Sequence, residues 1–256
     1  VQTGIAFGLF RDILQLQDQH CTRRLVFAFE KGVPIRKAIH PTYKRRPVTP
    51  GPKWGDHDHN NFKDEAREQI ALLRDVTLPM IGFQNVFWAT GYEADDVIAS
   101  VCQHLPKGDE AVIVSTDRDF YQLLSPRVSI WEPKKTRLFT HTNLTKELHI
   151  APAQWVDIKA MAGCVSDNVP GVNGIGERLA LKYVRGLMDP KTKKYQHIKN
   201  SEEAIEFSRK LVRLPYPGTP TFTLREDHIR PGSWRSMMSS LGIKRLEPTG
   251  LLFTGE

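Results

Sequence analysis

The sequence predicts an α/β protein: a mostly parallel, doubly wound sheet followed by a helical C-terminal part. Three observations lead there. Short β-branched or aromatic apolar runs alternate with helically spaced segments through the first half of the chain. Acidic residues stand where these strands would hand over to helices. After about Leu144 the signal is nearly all helix.

Taken in order, "GIAFGLFRDILQLQ" sets Ile5, Leu9, Ile13 and Leu16 on one helical face, and "RLVFAF" (Arg24–Phe29) reads as a buried strand. From Glu30 to about Asn61 the pattern dissolves into Pro, Gly, His and basic residues, which predicts a long functional loop. Helix resumes with Phe62, Ala66, Ile70 and Leu73, and a second helix carries Ala94, Val97, Ile98, Val101 and Leu105. "AVIVST" (Ala111–Thr116) is a short strand ending in cap-forming Ser115 and Thr116, with a helix expected from about Asp117. "RVSIW" and "KKTRLFT" read as a hairpin pair. "APAQWVDIKAMAG", "GERLALKYVRG", "SEEAIEFSRKLVRL" and "SWRSMMSSLG" are helical, and no internal repeat is present.

A chain of 256 residues that is 40% hydrophobic can bury a substantial core and is not of disordered composition. No apolar run approaches the ~20 residues of a membrane helix, and no signal-peptide pattern opens the chain. It starts at Val1, already inside an apolar pattern, as though an N-terminal part were missing. Cys21, Cys102 and Cys164 are odd in number and far apart, which fits reduced thiols in a cytosol-like compartment. The net charge of +7 suits a polyanionic partner.

In open α/β sheets, ligands bind beyond the carboxyl ends of the strands. Glu30 ends one predicted strand, Glu93, Asp95 and Asp96 follow another, and Asp117 and Asp119 follow a third. Acids do favour helix N-termini, by ~0.3–1 kcal/mol each. Six of them converging on one edge would repel unless a cation neutralised them. Hard oxygen donors without histidine or thiolate point to Mg²⁺ or Mn²⁺, and a pair of such ions suits phosphodiester hydrolysis. No G-x-S-x-G, Walker loop or recognisable Cys/His arrangement offers another nucleophile chemistry.

Gly171, Gly174 and Gly176 form a stepped turn opening onto a helix near Glu177, a setting in which backbone N–H groups bind phosphate. Arg178, Lys182 and Arg185 follow at helical spacing, as for a duplex-backbone contact. The loop "IRKAIHPTYKRRP" interleaves Tyr43 with Arg36, Lys37, His40, Lys44, Arg45 and Arg46; it could clamp a scissile phosphate or stack a base. "GDHDHNN" (Gly55–Asn61) reads as a polar loop.

Together, "GYEADDVIA", "STDRDFYQLLS" and "SDNVPGVNGIGE" strongly resemble, in order, the motifs of the 5′-nuclease family, which includes phage flap endonuclease/exonucleases and the 5′-nuclease domain of bacterial DNA polymerase I. The resemblance runs from the first residues to about Leu246. It implies a PIN-like nuclease body over residues 1–143, with an arch loop at about 30–61. It also implies a helical DNA-binding part over 144–246, with a helix–three-turn–helix at about 160–186, and leaves 247–256 as a tail. The implied activity is cleavage of DNA at 5′ ends and 5′ flaps with two divalent ions. By position, the implied metal ligands are Glu30, Glu93, Asp95, Asp96, Asp117, Asp119 and Asp167. Lys44 and one of Arg45 and Arg46 match the pair that holds the scissile phosphate, the loop being one residue short of the usual spacing. Gly171 to Gly176 match the turn that grips the duplex backbone, often with a K⁺ ion. A monomer is implied, in the cytoplasm, working beside or fused to a DNA polymerase.

Three departures stand against that pattern. The family's first strand, which carries an aspartate, is not in this sequence; Glu30 stands where aspartate is usual; and Cys164 replaces one aspartate of a pair. Thiol sulfur is a soft donor poorly matched to Mg²⁺. A structure-specific DNA-binding protein with weak or lost catalysis is therefore the competing expectation.

Overall fold

The computed structural model describes residues 4–22, 24–45, 59–248 and 252–253. In chain order the elements are α1 (Gly4–His20), β1 (Phe27–Lys31), α2 (His59–Leu72), α3 (Leu78–Ile81), β2 (Val86–Thr90), α4 (Ala94–Gln103), β3 (Ala111–Val114), β4 (Val128–Glu132) and β5 (Arg137–Phe139). The helices α5 (His141–Leu148), α6 (Trp155–Ala162), α7 (Glu177–Val184), α8 (Lys193–Lys199), α9 (Glu202–Val212) and α10 (Pro231–Ser240) complete it. None is long and apolar enough to cross a membrane among the described residues.

The expected mixture of strands and helices is present, but the sheet comes in two pieces. β1 lies beside β2, and a separate sheet has the order β3-β4-β5. β3 and β4 run parallel, with Ala111 opposite Val128 and Val114 opposite Trp131. β4 and β5 form the expected hairpin, with Ile130 opposite Phe139 and Glu132 opposite Arg137. Although β3 is wholly apolar, it buries Ile113 and leaves Val112 and Val114 39% and 45% exposed.

The chain divides into two compact units that interleave along the sequence, rather than into consecutive segments. One comprises residues 1–29, 48–87 and 223–256. Its core gathers Phe10, Ile13, Leu78, Ile81, Phe83, Ile229 and Trp234, with Phe10 and Trp234 meeting edge to face at 5.4 Å. α1 buries Ala6, Phe10, Ile13 and Gln17, a face turned by about one residue from the predicted Ile5–Leu9–Ile13–Leu16 stripe. On this face Phe10 is fully buried and meets Trp234 edge to face, a contact the predicted stripe would leave out.

The second unit, residues 30–47 and 88–222, carries every described residue of the predicted site. α6 is its axis, packed against α7 and α9 and burying Trp155, Ile158, Ala160 and Met161. Around it lie Ile113, Phe120, Tyr121, Ile130, Phe139, Leu144 and Ile198. A smaller cluster of Tyr43, Val156, Ala160, Val169, Leu211 and Val212 lies against the same helix.

α6 ends at Gly163, and there the chain doubles back tightly. Gly163 and Gly171 both have positive φ, of 68° and 61°. A Cβ on Gly171 would meet the Gly163 nitrogen at 2.5 Å. Backbone packed this closely admits no side chain, and positive φ adds strain of its own. Gly171→Ala is therefore expected to cost about 1–3 kcal/mol, read as a lowered midpoint in thermal or urea unfolding.

Candidate active site

Carboxylates and cations alternate at the site. β1 carries Glu30, exposed, within the strand rather than beyond it. β2 leads through a turn to Glu93, the N-cap of α4. The backbone N–H of Glu93 donates to Asp96 Oδ2 at 3.1 Å, closing a capping box that fixes both acids. β3 leads to Asp117, whose Oδ1 accepts from the Asp119 N–H at 2.8 Å and caps a short 3₁₀ turn over Arg118–Leu123. Asp117 thus performs the capping expected of Ser115 and Thr116, while Ser115 Oγ accepts from the Asp117 N–H.

Two ammonium groups answer these acids. Lys44 Nζ contacts Glu93 Oε1. Lys159, on α6, reaches Asp119 Oδ1 at 2.7 Å. Both oxygens are buried, and each has its lysine ammonium as partner. Burial alone would lower both lysine pKa values, but Glu93 and Asp119 outweigh it and raise them. Asp95 is pushed up to about 7, first by burial and then by the charge of Asp117, with Lys44 pulling the other way. Burial also raises Asp119, against the opposing charge of Lys159. Asp167 lies close enough for its charge to act on Lys44 and Asp119.

The loop bearing Lys44 is tied to the turn bearing Asp167. The Lys44 N–H donates to Asp167 O at 2.9 Å. The Asn168 side-chain amide donates to Thr42 O at 2.7 Å and to Arg45 O at 2.9 Å, and His40 Nε2 meets Asn168 O at 2.8 Å. Lys44 and Asn168 both adopt left-handed backbone, with φ of 50° and 56°. Cys164 and Val169 exchange backbone hydrogen bonds of 3.0 and 2.9 Å that close the turn. The Cys164 thiol lies 3.1 Å from Ser166 Oγ.

Several expected roles are corrected. Asp96 is fully buried and its oxygens are engaged by the Arg36 guanidinium at 2.6 and 2.8 Å and by the backbone N–H groups of Tyr216 (2.8 Å) and Glu93 (3.1 Å). With each oxygen accepting two protein donors, it serves as an anchor in this structure rather than presenting a free oxygen to an ion. Tyr43 is buried and donates its hydroxyl to Glu93 Oε2 at 3.0 Å, so its ring cannot stack on a base. Gly171 is also buried, and its N–H donates to Ser208 Oγ at 3.1 Å rather than facing a phosphate. Gly174, Gly176, Arg178 and Lys182 are exposed, as a backbone grip requires. Gly174 O accepts from Lys194 at 3.1 Å, and Asn173 O faces His197 Nε2 at 3.2 Å. These two carbonyls already have donors and do not fit a K⁺ ion as they stand. Arg45 is exposed, while Arg46 and residues 55–58 of the polar loop lie outside the described residues.

Sequence reasoning passed over Lys159 and Asn168, and counted Arg36 merely as one basic loop residue among several. Lys159 sits in a helix whose other inward residues are apolar, which was the available signal. Among the described residues, no three His, Cys, Asp or Glu side chains converge closely enough to hold an ion as they stand. The donor chemistry nonetheless fits a hard divalent cation: the acids offer carboxylate oxygens whose charges act on one another, and two ammonium groups now answer Glu93 and Asp119.

An α/β unit that gathers acids at strand ends beside a basic loop defines a class of phosphate-handling proteins. The chain belongs to the 5′-3′ exonuclease family: residues 1–149 match the family described as "5′-3′ exonuclease, N-terminal resolvase-like domain". The thermostable DNA polymerase I of Thermus thermophilus is 38% identical over 215 residues, which are 81% of this chain and 24% of that protein. The chain thus spans about a quarter of the length of that curated relative. A 5′-3′ exonuclease of Aquifex aeolicus is 28% identical over 222 residues, 83% of this chain and 72% of that one. The solved T5 5′-exonuclease with bound zinc shares the fold, with a TM-score of 0.66 at 21% identity over 94% of this chain and 91% of that one.

Without added metal, folded Asp95 binds its proton more tightly than the unfolded chain does. It therefore favours the folded state at low pH, and that contribution fades as pH rises from about 4 through about 7. In chelator, the unfolding midpoint of the native chain is expected to fall more steeply across this range than that of Asp95→Asn. Equal slopes would show that Asp95 is not crowded.

Proposed function

We propose that the chain is a metal-dependent DNA 5′-nuclease, acting as a 5′-3′ exonuclease and 5′-flap endonuclease. The observation that carries this reading is the crowd of Glu93, Asp95, Asp117, Asp119 and Asp167 flanked by the ammonium groups of Lys44 and Lys159. Membership of the 5′-3′ exonuclease family and the name of the Aquifex relative support it.

Those five carboxylates would hold the divalent cation, Mg²⁺ or Mn²⁺, and a second such ion is part of the reading. When bound, the cation supplies charge stabilisation at the phosphate and acidifies water. Lys44 leaves Glu93 to face the phosphate that must be neutralised, and Arg45 extends from the same loop beside it. Arg178 and Lys182, one helical turn apart on α7, would follow the phosphates of the duplex without reading bases. The polymerase relatives support a polymerase partner or fusion, and the free thiols suit a reducing, cytoplasmic compartment. K⁺ is assigned no part here.

The reading is tested by incubating the chain with a 5′-flap DNA in Mg²⁺, in Mn²⁺ and in chelator. Cleavage is expected with either metal and none in chelator, with a loss on the order of 10²–10³-fold in Asp117→Ala and in Lys44→Met. Binding to the flap without cleavage in either metal would establish the competing DNA-binding reading, which the thiol at Cys164 favours. Cys164→Asp is expected to raise the Mg²⁺-dependent rate; an unchanged rate would remove position 164 from the metal site.

A further inference from the structure

One buried cation remains without a role in the chemistry above. Arg36 is 1% exposed, and each of its five N–H groups has an acceptor. Nε donates to Leu211 O at 2.8 Å. Nη1 donates to Glu93 Oε2 at 2.8 Å and Asp96 Oδ2 at 2.6 Å. Nη2 donates to Asp96 Oδ1 at 2.8 Å and Arg213 O at 3.3 Å. The Tyr216 ring lies 4.9 Å from the guanidinium carbon. Three stretches far apart in sequence therefore meet on one side chain: the basic loop, the start of α4 and the turn after α9.

The effect on Glu93 is directional. Its Oε2 accepts from both Arg36 and Tyr43, which leaves Oε1 turned to Lys44. Arg36 thus anchors the loop that carries Lys44 and also holds the acid that Lys44 faces. Stability alone does not explain the arrangement, because a buried ion pair is generally no more stabilising than apolar residues of the same volume. Geometry does explain it: a planar fork can bind a carboxylate at two points and reach main-chain carbonyls as well, which an ammonium cannot.

We propose that Arg36 is a positioning residue for the reaction, setting Glu93 Oε1 and the Lys44 loop in the arrangement that cleavage needs. The proposal rests on the nuclease reading above. Arg36→Lys keeps the charge beside Asp96 and loses the fork. Single-turnover cleavage of the 5′-flap DNA, flap affinity in chelator and the unfolding midpoint are measured for native, Arg36→Lys and Tyr43→Phe chains.

Arg36→Lys is expected to slow cleavage on the order of 10²-fold, as misplacement of reacting groups does, with flap affinity in chelator unchanged. Tyr43→Phe, which frees the same oxygen of Glu93, is expected to slow it several-fold in the same way. A native rate in Arg36→Lys would show that charge compensation suffices and overturn the proposal. So would a loss of affinity that accounts for the whole effect. Should Arg36→Lys fail to fold, Tyr43→Phe decides: a slowed rate at native affinity supports positioning, and a native rate overturns it. If the native chain does not cleave, the nuclease reading fails and takes this proposal with it; a cleaving native chain with an indifferent Arg36→Lys overturns this proposal alone.

Discussion

Like charges brought together out of water repel strongly, and in this protein that repulsion governs the arrangement of the site. Glu93, Asp95, Asp117 and Asp119 come from two strand-to-helix junctions, and each raises or answers the charge of another. Such a cluster folds only because cations are folded in with it. Lys44 and Lys159 take Glu93 and Asp119, while Arg36 takes Asp96 together with the inner oxygen of Glu93. Removing one partner of such a buried pair strands the other, at a cost of about 3–5 kcal/mol. The three cations are thus as much part of the site as the acids.

Each cation is placed by different means. Lys159 is carried by α6, the axis of its unit, so its position follows from the packing of Trp155 and Ile158 beside it. Arg36 is held by acceptors on every side. Lys44 is half-exposed and sits in left-handed backbone, on a loop fastened by Asn168 to the turn of Asp167. Two of the three are therefore fixed, and the third is the most accessible to solvent. On the proposed reading it is Lys44 that would exchange its carboxylate for a phosphate.

Much of this was legible in the sequence, for local reasons. Strand ends followed by acids, glycine steps and helical stripes are all patterns a few residues long, and the hairpin of β4 and β5, with helices α6, α7, α9 and α10, came out where those patterns put them. What was not legible depended on contacts across the chain. Asp95 and Asp96 look equivalent in "GYEADD", yet successive helical residues point about 100° apart. Only one of them can face the other acids; Asp96 turns inward to an arginine 60 positions earlier. Tyr43 and Gly171 misled for the same reason, since a tyrosine in a basic loop and a glycine in a stepped turn give no sign of which long-range partner claims them. α1 shows the limit even for periodicity: its stripe was visible, but the buried face is the adjacent one, on which Phe10 meets Trp234.

Cys164 is best understood through Lys159. The lysine has Asp119 at 2.7 Å and also feels the charge of Asp117, with position 164 close by. An aspartate there, as the family pattern has it, would place a second carboxylate in the field of the same ammonium and divide its attention between them. With a thiol, Asp119 is the carboxylate that pairs directly with the lysine, and the Cys164 sulfur lies against Ser166 Oγ. One acid fewer also means less like-charge repulsion beside Asp119 and Asp167. The substitution thus bears on charge balance as well as on ligand chemistry, and on the proposed nuclease reading both would weaken cation binding on the same side of the site.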